Sequence, residues 1–243
     1  MKISLCVPMY NESSIIENTA RELYKYMTEH YGNDFEIIFS DDGSRDGSAD
    51  IVANLNLPNV KVVGYPKNQG KGCAVRHGVL ASAGEIVIFT DADLAYGVDV
   101  IKEAVDIMEK DGCDIVVASR AKHKDGYAGY TFVRKLASKT YIKVINLFGG
   151  IRISDSQCGF KAFDGEVGRK IFSYCKTNNF AFDLEVIMLA QKMKLKIHEL
   201  PAKIINHRES TVRPMSDAFK MLGDIRRIKK NVKGRKKNES RDT

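Results

Sequence analysis

The sequence predicts an α/β protein with a mainly parallel central sheet flanked by helices. Three observations lead to this class: short runs rich in β-branched residues recur along the first half, helix-compatible stretches separate them, and polar residues follow most of the runs. Short strands separated by helices indicate βαβ units with a sheet buried on both faces. The 243 residues, 44% of them hydrophobic, suffice for one large domain.

Five predicted strands and four predicted helices alternate in the first half. The strands are expected at 3–7, 35–40, 60–64, 86–90 and 114–118, and the helices near 13–31, 47–55, 71–83 and 98–111. In open parallel sheets, ligands bind at the carboxyl ends of the strands. The residues after each strand are therefore the first candidates for a site.

The second half is less regular. Its predicted elements are a helix over 130–148, strands over 160–163 and near 196–206, helices near 183–193 and over 215–233, and a disordered tail from residue 234. The helix over 130–148 aligns lysines beside aromatic and aliphatic residues, so it either packs on the sheet or lies on a membrane surface. We favour the membrane surface.

The net charge of +7 lies entirely at the carboxyl-terminal end. Residues 208–243 hold 12 of the 38 Lys and Arg and 5 of the 31 Asp and Glu, so residues 1–207 carry 26 of each. We predict a domain over 1–207 followed by a basic amphipathic helix and flexible tail over 208–243. A basic end suits an anionic partner, either lipid headgroups or nucleic acid. Phe219 is the only aromatic residue there, which disfavours nucleic acid.

Cysteine usage and hydropathy predict the compartment. The five cysteines are odd in number and lack paired spacing, which favours a reducing cytosol over a disulfide framework or zinc site. No apolar run reaches the ~20 residues of a membrane span, and no signal peptide is visible. We expect a cytoplasmic protein, peripheral at the cytosolic face of a membrane.

Carboxylates follow three of the predicted strands. Asp91 and Asp93 come directly after the strand over 86–90, where alternation sends both to one side. Asp42 and Glu12 follow neighbouring strands at the same predicted edge. Oxygen ligands of this kind suit Mg²⁺ or Mn²⁺, which bridge carboxylates to substrate phosphates. The combination predicts a divalent-metal site at Asp91 and Asp93.

These motifs resemble glycosyltransferase family 2, and more narrowly its polyprenyl-phosphate and dolichyl-phosphate β-glucosyltransferases. The segments that carry the resemblance are 8–12, 41–44, 68–78, 91–93, 119–121, 155–161 and 180–185. The resemblance implies the GT-A (nucleotide-diphospho-sugar transferase) fold. It also implies a metal-dependent, inverting transfer of a hexose, glucose from UDP-glucose, to a polyprenyl or dolichyl phosphate.

The resemblance also implies roles for individual residues. Asp91 and Asp93 would hold the metal and diphosphate, and Asp42 would meet the base. The remaining donor-site residues are expected to be Pro8, Tyr10, Asn11, Glu12, Lys71 and Ala92.

A lipid-phosphate acceptor changes which side chains the reaction needs. Its oxygen is already anionic near neutral pH, so it requires cations more than a strong base, and Arg120 and Arg134 are the candidates. Asp155 is placed with the catalytic residues, where it either orients the acceptor or the metal or caps the next element. Asp183 and Glu185 are either site residues or helix N-terminal carboxylates.

Two alternatives remain open. A transferase of the same fold acting on a hydroxyl of a cell-envelope glycan would need a carboxylate base, and Asp155 or Asp183 would fill that role. A more remote alternative is a non-enzymatic nucleic-acid-binding protein that uses the basic tail.

Overall fold

The structure, a computed structural model, describes residues 1–127, 142, 150–206 and 214–234. Strands and helices alternate along residues 3–119 as the sequence predicts. They are β1 (Ile3–Met9), α1 (Ile16–Tyr31), β2 (Phe35–Asp41), α2 (Ser48–Asn54), β3 (Val60–Gly64), α3 (Lys71–Leu80), β4 (Ile86–Thr90), α4 (Asp99–Asp111) and β5 (Ile115–Ser119).

The described chain after residue 150 adds two strands and three helices. They are β6 (Phe160–Asp164), α5 (Gly165–Tyr174), α6 (Phe182–Lys192), β7 (Ile197–Pro201) and α7 (Pro214–Lys233). The sequence prediction lacks α5, because glycines at 165 and 168 weaken its helical pattern. Its N-cap is Asp164, whose side chain accepts a hydrogen bond from the Val167 N–H.

One sheet contains the seven described strands, in the order β3-β2-β1-β4-β6-β5-β7. Neighbouring strands are parallel except for β6, which runs antiparallel to both β4 and β5. Helices α1, α2 and α4 pack on one face, and α3, α5, α6 and α7 pack on the other. The predicted α/β class and mainly parallel sheet are confirmed.

The last strand is shorter than the sequence prediction. The run over 196–206 was expected to be extended throughout, but β7 ends at Pro201. The chain then leaves the sheet, and the N–H groups of Ile205 and Asn206 donate to the Ala95 carbonyl after β4. The predicted strand is therefore confirmed over Ile197–Pro201 only, because the residues after it donate their hydrogen bonds to the turn after β4 instead.

Helix α7 agrees with the predicted helix over 215–233. Its Ile225, Ile228 and Val232 are buried in the same apolar cluster as α3, α5 and α6, and Arg226 and Lys230 are exposed. The division of the chain at residue 207 stays a prediction. The predicted helix over 130–148, apart from residue 142, and the tail beyond 234 lie outside the described residues. Among the helices that are described, none has the length and apolar character of a bilayer span.

Candidate active site

The sheet order brings the predicted site loops to one rim. Strand β1 lies between β2 and β4, and all three are parallel, so their carboxyl ends meet at one edge. Met9 is in register with Asp41 at that edge. This is the position at which open α/β sheets bind ligands.

Backbone–side-chain hydrogen bonds tie the loop after β1 to the loop after β2. The Asn11 N–H donates to Ser44 Oγ (2.9 Å), and the Arg45 N–H donates to Asn11 Oδ1 (2.9 Å). The Glu12 N–H donates to Ser48 Oγ (2.8 Å). Asn11 has a φ of 54°, a left-handed conformation that asparagine tolerates. Of the residues expected to line the donor pocket here, Pro8 is buried in β1 and Tyr10 is 45% exposed on the rim.

Asp42 organises the loop that precedes α3. Its carboxylate accepts hydrogen bonds from the Tyr65 hydroxyl (2.7 Å), from Asn68 Nδ2 (2.9 Å) and from the Gln69 N–H (2.8 Å). The Gly70 N–H donates to both carboxylate oxygens. The buried carboxylate therefore fixes the 65–70 loop, and its expected contact with the base stays a prediction.

The Asp91–Ala92–Asp93 segment follows β4 in a turn that neighbouring groups hold. Thr19 Oγ1 donates to the Ala92 carbonyl (2.7 Å), and Asp93 Oδ1 accepts from the Ala95 N–H (3.1 Å). Burial and the charge of Asp91 raise the pKa of Asp93, and the nearby charge of Glu12 adds to this effect. Asp91 and Asp93 therefore lie in one turn at the rim, and the Glu12 carboxylate on the loop after β1 is within electrostatic range of Asp93.

Lys71, the first residue of α3, pairs with the first of these aspartates. Its Nζ lies 2.6 Å from Asp91 Oδ1. Burial opposes the charge of Lys71, but Asp91 and Asp183 outweigh it, so the pKa of the ammonium is raised. Gly159 closes the other side, because a Cβ there would lie 2.1 Å from Asp91 Oδ2. The Asp91 carboxylate is therefore in contact with the Lys71 ammonium and with the backbone of Gly159.

The two aspartates suit a divalent cation. Their oxygens are the ligands that Mg²⁺ and Mn²⁺ prefer. Burial and the neighbouring charge of Asp91 raise the pKa of Asp93, and a bound cation would offset the repulsion between the two carboxylates. Within the described residues, no group of three or more His, Cys, Asp or Glu side chains is arranged to hold a metal ion.

Arg120, at the end of β5, is held by Asp155. Arg120 Nε lies 2.7 Å from Asp155 Oδ2, and Nη2 lies 2.9 Å from Oδ1, which makes the pair bidentate. Burial opposes the arginine's charge, but Asp155 raises its pKa well above the usual value. Asp155 itself has no exposed surface. Arg134, the second candidate for the acceptor phosphate, lies outside the described residues.

The acidic residues at the start of α6 also have internal partners. Asp183 Oδ1 lies 2.5 Å from Lys161 Nζ, and both side chains are buried. Glu185 accepts hydrogen bonds from the N–H groups of Lys176 (2.9 Å) and Thr177 (2.7 Å). Sequence reasoning missed Lys161 as the buried partner of Asp183. The available signal was a lysine inside an otherwise apolar strand.

Comparison with known proteins identifies the class of this enzyme as glycosyltransferase, and its family within that class. The chain matches the glycosyl transferase family 2 profile over residues 4–172 and belongs to that family of enzymes. It is 32% identical over 240 residues to the dolichyl-phosphate beta-glucosyltransferase of Dictyostelium discoideum, covering 93% of this chain and 73% of that protein. A Trichomonas vaginalis enzyme of the same name is 34% identical, covering 91% and 69%. The predicted family resemblance is confirmed.

Solved structures confirm the GT-A fold. Mannosyl-3-phosphoglycerate synthase from Rubrobacter xylanophilus superposes with a TM-score of 0.68 at 19% identity, covering 97% of this chain and 76% of that one. Glucosyl-3-phosphoglycerate synthase from Mycobacterium tuberculosis, solved with Mn²⁺, UDP and glucosyl-3-phosphoglycerate, has a TM-score of 0.67 at 19% identity, covering 96% and 80%.

Proposed function

We propose that this glycosyltransferase moves glucose from UDP-glucose to a dolichyl or other polyprenyl phosphate at a membrane surface, with inversion at the sugar. The relatives that bear the name dolichyl-phosphate beta-glucosyltransferase match over nearly the whole chain and support this acceptor. In the transfer, an acceptor phosphate oxygen forms a bond to the anomeric carbon. The bond from that carbon to the diphosphate breaks, and UDP leaves.

The observation that carries the proposal is that both candidate bases are buried in ion pairs. Asp155 is fully buried against Arg120, and Asp183 is buried against Lys161. A carboxylate in such a pair is poorly placed to take a proton from a sugar hydroxyl, because losing its negative charge would leave the partner cation unpaired. A phosphate acceptor needs no such base, since its oxygen is already charged. We therefore favour the lipid phosphate over the hydroxyl of a cell-envelope glycan.

On the donor side, Asp91 and Asp93 would hold Mg²⁺ or Mn²⁺, which would neutralise charge on the departing diphosphate. The M. tuberculosis synthase was crystallised with Mn²⁺ and UDP, which supports this assignment. Lys71 lies beside Asp91 and would add a second positive charge. Tyr10, Asn11 and Glu12, with Pro8 and Ala92 in the adjoining backbone, would line the nucleotide pocket.

On the acceptor side, Arg120 would receive the lipid phosphate, together with Arg134. Asp155 fixes the guanidinium plane of Arg120, so little side-chain freedom remains to be lost on binding. We assign Asp155 to this positioning role rather than to proton transfer. The exposed basic side of α7, and the helix predicted over 130–148, would hold the enzyme to anionic headgroups at the cytosolic face. We propose no nucleic-acid partner.

A transfer assay with radiolabelled donors tests the proposal. The protein is incubated with UDP-glucose, a short polyprenyl phosphate and MnCl₂, and label is counted in the organic phase. We expect incorporation from UDP-glucose with the phosphate, and none with the corresponding polyprenol. GDP-mannose and UDP-N-acetylglucosamine test the choice of donor.

A matched pair of variants assigns the activity to the site. Asp93→Asn should abolish transfer, and Asp99→Asn, at the exposed start of α4, should not. Transfer of glucose to a soluble sugar hydroxyl, with none to the lipid phosphate, would overturn the acceptor assignment.

A further inference from the structure

A charged pair lies buried beneath the Asp91–Asp93 turn. Lys161 is in β6 in register with Phe89 and has no exposed surface. Its Nζ pairs with Asp183 Oδ1 at 2.5 Å, donates to the Cys158 carbonyl (2.9 Å), and lies 5.1 Å from the centre of the Phe89 ring. The ammonium is therefore surrounded by protein partners on several sides.

Such a pair is not explained by stability alone. Removing two charges from water costs several kcal/mol per ion, and hydrophobic replacements of buried pairs are often neutral or stabilising. Lys161 lies in the strand between β4 and β5, where an apolar side chain would fit the surrounding core. The position of the pair suggests a role in the site above it.

Two chains of contact connect the pair to the donor end of the site. Lys161 holds the Cys158 carbonyl, and the next residue, Gly159, accepts a hydrogen bond from the Asp91 N–H (3.2 Å) and packs against the Asp91 carboxylate. Asp183 is at the start of α6, which abuts the start of α3 so closely that a Cβ on Gly72 would lie 2.6 Å from Phe182 Cβ.

The same contact places Asp183 within electrostatic reach of Lys71. The Gly72 N–H donates to the Asn178 carbonyl (2.7 Å), which joins α3 to the loop before α6. Asp91 and Asp183 are the two largest contributions that raise the pKa of Lys71. Lys71 is therefore paired with Asp91 and is also within electrostatic range of Asp183.

We propose that Lys161 and Asp183 are positioning residues: Lys161 holds the Asp183 carboxylate near Lys71 and the Cys158–Gly159 backbone against Asp91, so that the Lys71 ammonium is kept at the donor diphosphate. The inference rests on the proposed function, because it takes Lys71 and Asp91 as the donor end of the site. Neither residue of the pair is required to touch the substrate.

A double-mutant cycle tests the inference through UDP affinity. Titration calorimetry with UDP and MnCl₂ is run on the wild type, Asp183→Asn, Lys71→Met and the combined variant. If Asp183 acts through Lys71, its replacement should weaken UDP binding about tenfold in the wild type and less than about twofold in the Lys71→Met background. Equal factors in both backgrounds would overturn the proposal, since they would show a merely structural effect.

A second variant keeps the test decisive if the single replacement does not fold. Lys161→Met with Asp183→Leu replaces the whole pair by apolar side chains and should leave the unfolding midpoint unchanged or higher. We expect it to lose UDP affinity about tenfold, as the single variant does. Lys102→Gln with Asp106→Asn removes an exposed ion pair of α4 and is the matched control.

The outcomes separate the two proposals. Suppose that the wild type binds UDP and transfers glucose, and that the Lys161→Met/Asp183→Leu variant binds UDP equally well. This result would overturn the positioning role alone. A wild type that binds no UDP in the presence of Mn²⁺ would overturn the proposed function, and this inference with it.

Discussion

Gly159→Ala is a one-methyl test of whether the position of Asp91 controls activity. The added Cβ would lie 2.1 Å from Asp91 Oδ2 and 2.6 Å from its Cγ, whereas ordinary contacts begin near 3.4 Å. The backbone has little freedom to separate, because the Asp91 N–H is bonded to the Gly159 carbonyl. The carboxylate must therefore shift by roughly 1 Å, which disrupts its 2.6 Å contact with Lys71 Nζ.

The expected cost follows from that displacement. A shift of about 1 Å in a catalytic group lowers activity on the order of 100-fold. We expect kcat/KM for UDP-glucose with polyprenyl phosphate to fall by that factor, and the unfolding free energy in urea to fall by about 1–3 kcal/mol. Initial rates from organic-phase extraction and urea unfolding curves measure the two effects separately.

Two glycines of the same chain serve as controls. A Cβ on Gly84 would lie 2.6 Å from the Ser4 nitrogen, at the opposite end of β4, so Gly84→Ala should lose stability while keeping activity. Gly223 has open space around it in α7, so Gly223→Ala should be at least as stable as the wild type. Activity of Gly159→Ala within twofold of the wild type would refute the reasoning. So would an equal loss in Gly84→Ala.

Three further perturbations follow from the same contacts. A lysine in place of Arg120 cannot make the bidentate pair with Asp155. For Arg120→Lys we therefore expect the KM for polyprenyl phosphate to rise about tenfold and the KM for UDP-glucose to change less than twofold. The reverse pattern in initial-rate kinetics would contradict the acceptor role. Ile228→Ala opens a cavity between α7 and the core and should cost about 2–4 kcal/mol in urea unfolding; a cost below about 1 kcal/mol would separate α7 from the domain core. Neutralising exposed basic residues of α7 should lower the affinity for phosphatidylserine vesicles by about fivefold for each charge removed, as measured by sedimentation. These residues are Arg226, Lys230 and Lys233. Unchanged sedimentation would show that α7 does not contribute to membrane binding.

Local rules are sufficient to place the residues proposed for the donor at one rim of the sheet. Short apolar strands end at polar residues, and in parallel strands those ends must meet at one rim. Tyr10, Asp42 and Asp93 are accordingly found on the loops that follow β1, β2 and β4. The role of Asp42 in holding the 65–70 loop is harder to predict from the sequence, because its hydrogen-bond partners lie 23 to 28 residues away.

The side chains proposed for the acceptor depend on pairings that hydrophobic periodicity does not show. A carboxylate such as Asp155 looks the same in sequence whether it faces substrate or pairs with a partly buried guanidinium 35 residues away. The Lys161–Asp183 pair, 22 residues apart, is hidden for the same reason. Helix α5 was missed because two of its residues are glycines that fit close contacts, with Gly168 against Phe163.

The antiparallel strand explains how the two halves come together. A parallel strand between β4 and β5 would enter from the far edge of the sheet and bring its preceding loop to the wrong end. Because β6 runs the other way, it enters at the carboxyl ends of β4 and β5, and the residues before it reach both Asp91 and Arg120. Asp155 and Gly159 are thus separated by four positions along one short segment. Asp155 fixes Arg120, the cation proposed for the acceptor, and Gly159 confines Asp91, the carboxylate proposed for the donor. A change in the length of this segment should therefore uncouple acceptor use from UDP binding more than any single charge replacement on either side.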